Sequence, residues 1–209
     1  MVKILSKVDK EAVAQAITEA EQQTSAELVV VVAPVSDAYQ SYLLLYGLIT
    51  GSTIDIGLWA AKLVTLFPLL LVIQLTVIAL LSFTPWLRQL CLRLVPKRIR
   101  HHRAAHRAYE EYLSVSRHVS AATPIVLLYV SIAEHYAHIL TSRSVREKIP
   151  DERWNAIIGE LTAAIPADGL QSACIKAIRR ATELVAPYFP ENGEIHSLGH
   201  TVIEIGRST

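Results

Sequence analysis

Cysteine is nearly missing from this chain: Cys91 and Cys174 are the only two in 209 residues. That excludes a disulfide framework and any four-cysteine zinc site. A charge excess of either sign is missing too, since 20 Lys+Arg against 19 Asp+Glu leave a formal net charge of +1. No basic surplus calls for nucleic acid, and no acidic surplus points to disorder. Glycine-rich phosphate loops and nucleophile elbows do not occur, nor do internal repeats or low-complexity tracts. Residues 1–10 are too polar and too often interrupted by lysine to read as the apolar region of a signal peptide. Charged residues of all kinds make up only 19% of the chain, against about 25% in soluble domains. What is abundant is apolar surface: 52% hydrophobic residues and a mean hydropathy of +0.34. The composition predicts a membrane-associated single domain that is not exported by a cleaved signal.

The apolar surplus is concentrated. Residues 63–83 (LVTLFPLLLVIQLTVIALLSF) contain no charge. As a helix they would be about 31 Å long, one hydrocarbon core. Pro68 lies near the start, where a missing N–H is tolerated best. Residues 42–61 (YLLLYGLITGSTIDIGLWAA) form a weaker second span whose one charge is Asp55. Gly47 and Gly51 have the spacing that lets membrane helices approach closely, although glycine is also simply common in such helices. An acid inside a span is a functional candidate. A short span ending near Ile54 would instead leave Asp55 in an interfacial loop beside Trp59 and Lys62, and that is the reading preferred here. The two spans make a transmembrane hairpin over residues 42–87. Arg88, Arg93, Lys97, Arg98, Arg100, Arg103 and Arg107 follow it, whereas the connection carries only Lys62. The positive-inside rule then places both flanks in the cytoplasm, with the basic run against anionic lipid.

The flanks read as one split domain, residues 1–41 and 88–190, followed by a tail, 191–209. Ser6 with Asp9 predicts a helix N-cap, and Val8, Ala12, Ala16, Ile17 and Ala20 follow at helical spacing. Residues 28–33 (LVVVVA) are apolar without alternation, as in a strand buried on both faces. After the hairpin, residues 96–115 read as a basic helix with a stripe of Ala104, Ala105, Ala108, Tyr109, Tyr112 and Leu113. Residues 124–131 read as a second buried strand, Glu134 and His135 as a turn, and 136–141 as an antiparallel return. Helices are predicted from Pro150 to about Ile165 and over 170–188, with a break across residues 166–169. A short strand is expected at 201–205. The fold class is therefore α/β, a mixed sheet with helices on both faces (an α/β/α sandwich) interrupted by the hairpin.

Several of these residues resemble a known family. Glu21-Gln22-Gln23-Thr24-Ser25-Ala26-Glu27 before the valine strand is similar to the opening of the TPM domain. So are Ser36-Asp37-Ala38-Tyr39 past that strand, the run from Ile125 to Glu134, and Ile149-Pro150-Asp151-Glu152-Arg153-Trp154. The likeness extends over nearly the whole chain and is strongest to the bacterial branch that carries an inserted membrane hairpin. It implies a compact α/β sandwich. Its members are described as acid phosphatases, as metal-binding, or as auxiliary factors for membrane complexes. The family pattern has a Glu before the first strand, Asp-Asn-Gly before the second and an Asp after the third. If the first two strands are parallel, these acids share one sheet edge and imply Ca²⁺ or Mg²⁺. This chain keeps Glu27 but has Ala121-Ala122-Thr123-Pro124 and Thr141-Ser142-Arg143 at the other two places.

Two more groupings are open to reading. His102 and His106 are four apart on a helix, a zinc-compatible spacing. They have no general base between them and no evident third ligand, so a cationic helix beside anionic lipid is the preferred account. His196 and His200 have the same spacing among glycines and are taken as coincidence. Ser36, Asp37, Glu134 and His135 are expected to meet at the C-terminal ends of the first two strands, where open α/β sheets bind ligands; ordinary turn chemistry explains the same residues. The function expected is that of a membrane-anchored interaction or auxiliary module in a bacterial inner membrane. Its partners would be lipid and another membrane protein. The alternative is a divalent-metal-dependent phosphatase using Glu27.

Overall fold

The computed structural model describes residues 6–37, 39–63, 66–84, 93–120, 122–191 and the backbone of 202–204. The chain divides into two units, one made of Met1–Ser36 with His101–Thr209 and the other of Asp37–Arg100.

The first unit is a mixed α/β fold. Helix α1 (Lys7–Glu21) begins at a capping box. Ser6 Oγ accepts the Asp9 N–H at 3.2 Å, and the Asp9 carboxylate accepts the Ser6 N–H at 2.8 Å. Such a cap stabilises a helix by about 1 kcal/mol. The helix buries Val13, Ala16, Ile17 and Ala20; Val8, expected on that face, is exposed. Being only the second residue of the helix, it precedes the turns that reach the sheet.

Strand β1 (Glu27–Ala33) is buried at every position, as its run of β-branched residues predicts. It pairs in parallel with β2 (Ile125–Ser131), from Glu27 opposite Ile125 to Ala33 opposite Ser131. β2 pairs antiparallel with β3 (Tyr136–Thr141), and β4 (Val202–Glu204) lies parallel to β1 on its other side. The sheet order is β3-β2-β1-β4. Side chains alternate across it. Val30, Val32, Val126 and Leu128 join Val13 and Ile17 of α1 and Trp154, Ile157 and Ile178 of the long helix α6 (Asp151–Val185). Val29, Val31, Leu127 and Tyr129 instead pack with Ala108 and Val115 of α4 (Lys97–Ser116). The buried stripe of α4 is narrower than expected, because Tyr109 and Leu113 point outward.

A short helix, α5 (Arg143–Arg146), follows β3 and was not anticipated. The break expected across residues 166–169 is found at Gly169, whose φ of 82° and ψ of 164° interrupt α6. Pro166 itself stays helical. Glycine has no Cβ to clash at positive φ, so the turn settles there.

The second unit is a pair of apolar helices, α2 (Gln40–Ala60) and α3 (Phe67–Phe83). α2 is longer than expected and runs through Asp55 to Ala60, so Asp55 is helical and not in a loop. No proline intervenes, and a lone Gly57 costs too little to stop a helix. α3 is shorter than residues 63–83. Lys62 at φ 56° ends the first helix, and Pro68, in the first turn of α3, marks where the next begins. The two glycines face α3: a Cβ on Gly47 would come within 2.9 Å of Ile78 Cγ1 and 3.2 Å of its Cα. A Cβ on Gly51 would meet the Gln74 amide at 2.6 Å. That amide donates to the carbonyls of Gly47 (3.4 Å) and Leu48 (3.3 Å). The small-residue spacing is thus a helix contact, sealed by one polar side chain.

Candidate functional site

At the C-terminal ends of β1 and β2, three backbone and side-chain features converge. The Ile132 N–H donates to Ala33 O (3.0 Å) and the Ala133 N–H to Pro34 O (3.1 Å), which ties the turn after β2 to the exit of β1. His135 completes that turn at φ 50°. This geometry brings Glu134 under the chain at Ser36, whose N–H donates to Glu134 Oε1 at 3.1 Å.

Around that carboxylate runs a hydrogen-bond chain. Ser36 Oγ donates to Ser131 Oγ at 2.7 Å, and Ser131 Oγ donates to Glu134 Oε2. Ser36 has one hydroxyl proton and it is committed, so the 2.9 Å contact with Tyr129 Oη must have the phenol as donor. Protons are therefore ordered from Tyr129 through Ser36 and Ser131 to Glu134. Burial pushes the Tyr129 phenol up to about 12, with the nearby Glu134 charge adding to it and Arg107 opposing. Tyr129, Ser131 and Glu134 are all buried. A serine that donates to a carboxylate is the beginning of an activated nucleophile, but Ser131 at 2% exposure has no room for a substrate. The arrangement acts as a strut that fixes the chain where it leaves the sheet.

Two of the four residues expected at this edge, Ser36 and Glu134, come together. His135 is exposed, on the outside of the turn. Asp37 belongs to the helical unit, where its carboxylate accepts the Tyr39 N–H at 3.2 Å. Tyr129 and Ser131 were not expected. In the sequence they sit inside an unbroken apolar strand, and only two polar atoms at alternate positions near its end hint at a polar edge.

Glu27 is at the opposite edge, at the start of β1, and is buried. Its N–H donates to Pro124 O at 2.8 Å. Next to it, the Ser142 N–H donates to Ile125 O (2.9 Å), and Ser142 Oγ accepts the Ile125 N–H (3.1 Å) and contacts Ser144 Oγ at 3.0 Å. The positions that carry acids in the TPM pattern thus share one edge, as parallel β1 and β2 require; Ala121 lies outside the described residues. Ca²⁺ takes about six to eight oxygen ligands and Mg²⁺ about six, usually with several carboxylates. Here Glu27 is the one carboxylate at those positions, and Ser142 is already spent on the strand. Among the described residues no group of three or more His, Cys, Asp or Glu side chains is placed to hold a metal ion. These residues do not fit a Ca²⁺ or Mg²⁺ site.

Arg88 and Cys91 lie outside the described residues, as do His196 and His200. Arg93, Lys97 and Arg98 are exposed and Arg100 is half-buried in the helical unit; Arg103 is exposed in the α/β unit. Arg107 pairs with Glu110 at 3.1 Å and Glu111 at 2.9 Å, and His106 with Glu110 at 3.4 Å. The acids at the end of the basic run therefore offset part of its charge, and His106 is turned toward a carboxylate on its own helix.

No family model matches the sequence, and no curated protein matches it. Among solved structures the chain is similar to the NMR structure of BA42 protein from the psychrophilic bacterium Bizionia argentinensis. The TM-score is 0.59, over 97% of this chain and 96% of that one, at 14% identity. At that identity the likeness speaks for the fold alone.

Proposed function

We propose that this chain is a membrane-anchored module of TPM type, an α/β/α sandwich interrupted by a transmembrane hairpin. Its role is that of an interaction or auxiliary factor for membrane proteins and not that of a catalyst. One observation carries the reading: among the described residues nothing covers the apolar surface of the helical pair. Among the described residues α3 buries none of its side chains, and α2 buries only Leu43, Gly47 and Gly51. Leu44, Leu48, Ile56, Trp59, Val72 and Leu75 are all exposed. Only 17% of the most apolar stretch of α2 is buried, unlike the core helix of a soluble protein. Soluble monomers rarely expose apolar patches above a few hundred Å², whereas a bilayer covers them.

The hairpin keeps both flanks on one side, and the basic run after it supports the cytoplasmic side of a bacterial inner membrane. The burial of Ser131 and the presence of Glu27 as the one carboxylate at the positions of the acidic pattern favour the auxiliary role over the phosphatase. Cell fractionation tests the anchoring. The full chain should pellet with membranes and resist alkaline carbonate, while a variant with residues 42–87 replaced by a short Gly/Ser linker should be soluble and folded. A full chain released by carbonate would refute the reading.

A further inference from the structure

Asp55 occupies the face of α2 that carries Gly47 and Gly51, one helical turn beyond the second glycine. Its Oδ1 is buried, and among the described residues no hydrogen-bond donor reaches it. On the facing helix the Gln74 amide has its N–H groups directed to the carbonyls of Gly47 and Leu48. Asp55 lies five residues, about 7.5 Å of helix rise, inside the end of α2. The residue as a whole is only half-buried, so Asp55 is not sealed off from the outside of the helix pair. An unsatisfied acceptor is costly even in a soluble core, and acids within membrane helices are characteristically paired.

We infer that Asp55 is the docking point for a lysine or arginine carried by a transmembrane helix of a partner protein. This rests on the membrane reading above and gives the partner its chemistry. Charge complementarity selects the cation. A second copy of this chain in the same orientation would bring Asp55 to Asp55, which repels, so a self-pairing hairpin is disfavoured. The lysine of this chain closest in sequence, Lys62, is seven residues away and ends the helix at positive φ.

The probe is a synthetic polyleucine helix bearing one lysine at the matching depth, beside the same helix with leucine there. Full-length chain in phosphatidylcholine vesicles is labelled, and association is followed by energy transfer. The lysine helix should associate roughly three- to twenty-fold more tightly than the leucine helix, the range of polar contacts between membrane helices. Asp55→Leu should abolish that preference and Asp55→Asn should weaken it. Both variants keep the helix, since neither removes a partnered group. Equal binding of the two helices by the wild type would overturn the inference, as would a lysine preference that survives Asp55→Leu. Self-association lost in Asp55→Asn, without discrimination between the probes, would overturn it in favour of a dimer. A chain that fails to float with the vesicles removes the membrane reading itself; one that floats and does not discriminate removes only this inference.

Discussion

Ser131 gives its hydroxyl proton to Glu134 inside the sheet edge, and both side chains are 2% exposed. A buried carboxylate is tolerable only when its oxygens are hydrogen-bonded, and the Ser36 N–H and Ser131 hydroxyl do that here. Ser131→Ala should therefore destabilise the fold by about 2–3 kcal/mol, as expected for a hydrogen bond to a charged group. Tyr129→Phe, which removes the neutral end of the same chain, should cost only about 1 kcal/mol. Denaturant unfolding of the full chain in mild detergent measures both. Equal costs would contradict the proton order derived from the geometry.

The raised Tyr129 phenol adds a pH signature. Its folded pKa of about 12 exceeds the unfolded value of 10. Between those values the folded state holds a proton the unfolded state has lost, so stability should fall as pH rises through this window. Tyr129→Phe should flatten that alkaline decline. A decline identical in the two proteins would assign it to other groups.

His138 sets the acid side. Burial on β3 pushes its pKa below the ordinary 6.5, with Arg146 acting the same way and Asp151 opposing. Below 6.5 the unfolded chain takes up a proton before the folded one does, so stability should drop as pH falls from 6.5 toward the depressed value. Above 6.5 the contribution is complete. His138→Gln should reduce the loss, read as a smaller shift in melting temperature between pH 7.5 and pH 5.5. An unchanged shift would count against His138 as its source.

In the helical pair, Gly47→Val should be more damaging than Gly51→Ala. A Cβ at residue 47 meets the backbone of Ile78, which cannot move aside, whereas at residue 51 it meets the end of the flexible Gln74 side chain. Overpacking of the first kind costs about 1–3 kcal/mol. The melting temperature of the full chain in mild detergent should fall sharply for Gly47→Val and modestly for Gly51→Ala. The opposite order would place the tight contact elsewhere.

Much of the fold was legible because its signals are local. Ser6 and Asp9 name the first cap, the valines of β1 name a strand buried on both faces, and His135 falls in the turn between β2 and β3. Where the reading failed, a longer-range effect decided. Asp55 suggested a helix end because charge is costly in an apolar helix, yet nothing in the backbone stops α2 before Ala60. The break expected across residues 166–169 is present, taken up by Gly169, whose backbone tolerates it, while Pro166 stays helical. The polar strut was half legible. Ser36 and Glu134 announce themselves as loop residues, while Tyr129 and Ser131 look like ordinary strand positions until parallel pairing sets Ala33 opposite Ser131.

In the proposed arrangement the hairpin crosses the membrane and both flanks are inside. Single cysteines at Ser6, Lys62 and Ser208, in a chain whose Cys91 and Cys174 are replaced by alanine, test it directly with a membrane-impermeant maleimide on intact cells. Lys62→Cys should react from outside, while Ser6→Cys and Ser208→Cys should react only after lysis. Reaction of either terminal cysteine in intact cells, or protection of Lys62→Cys, would contradict it.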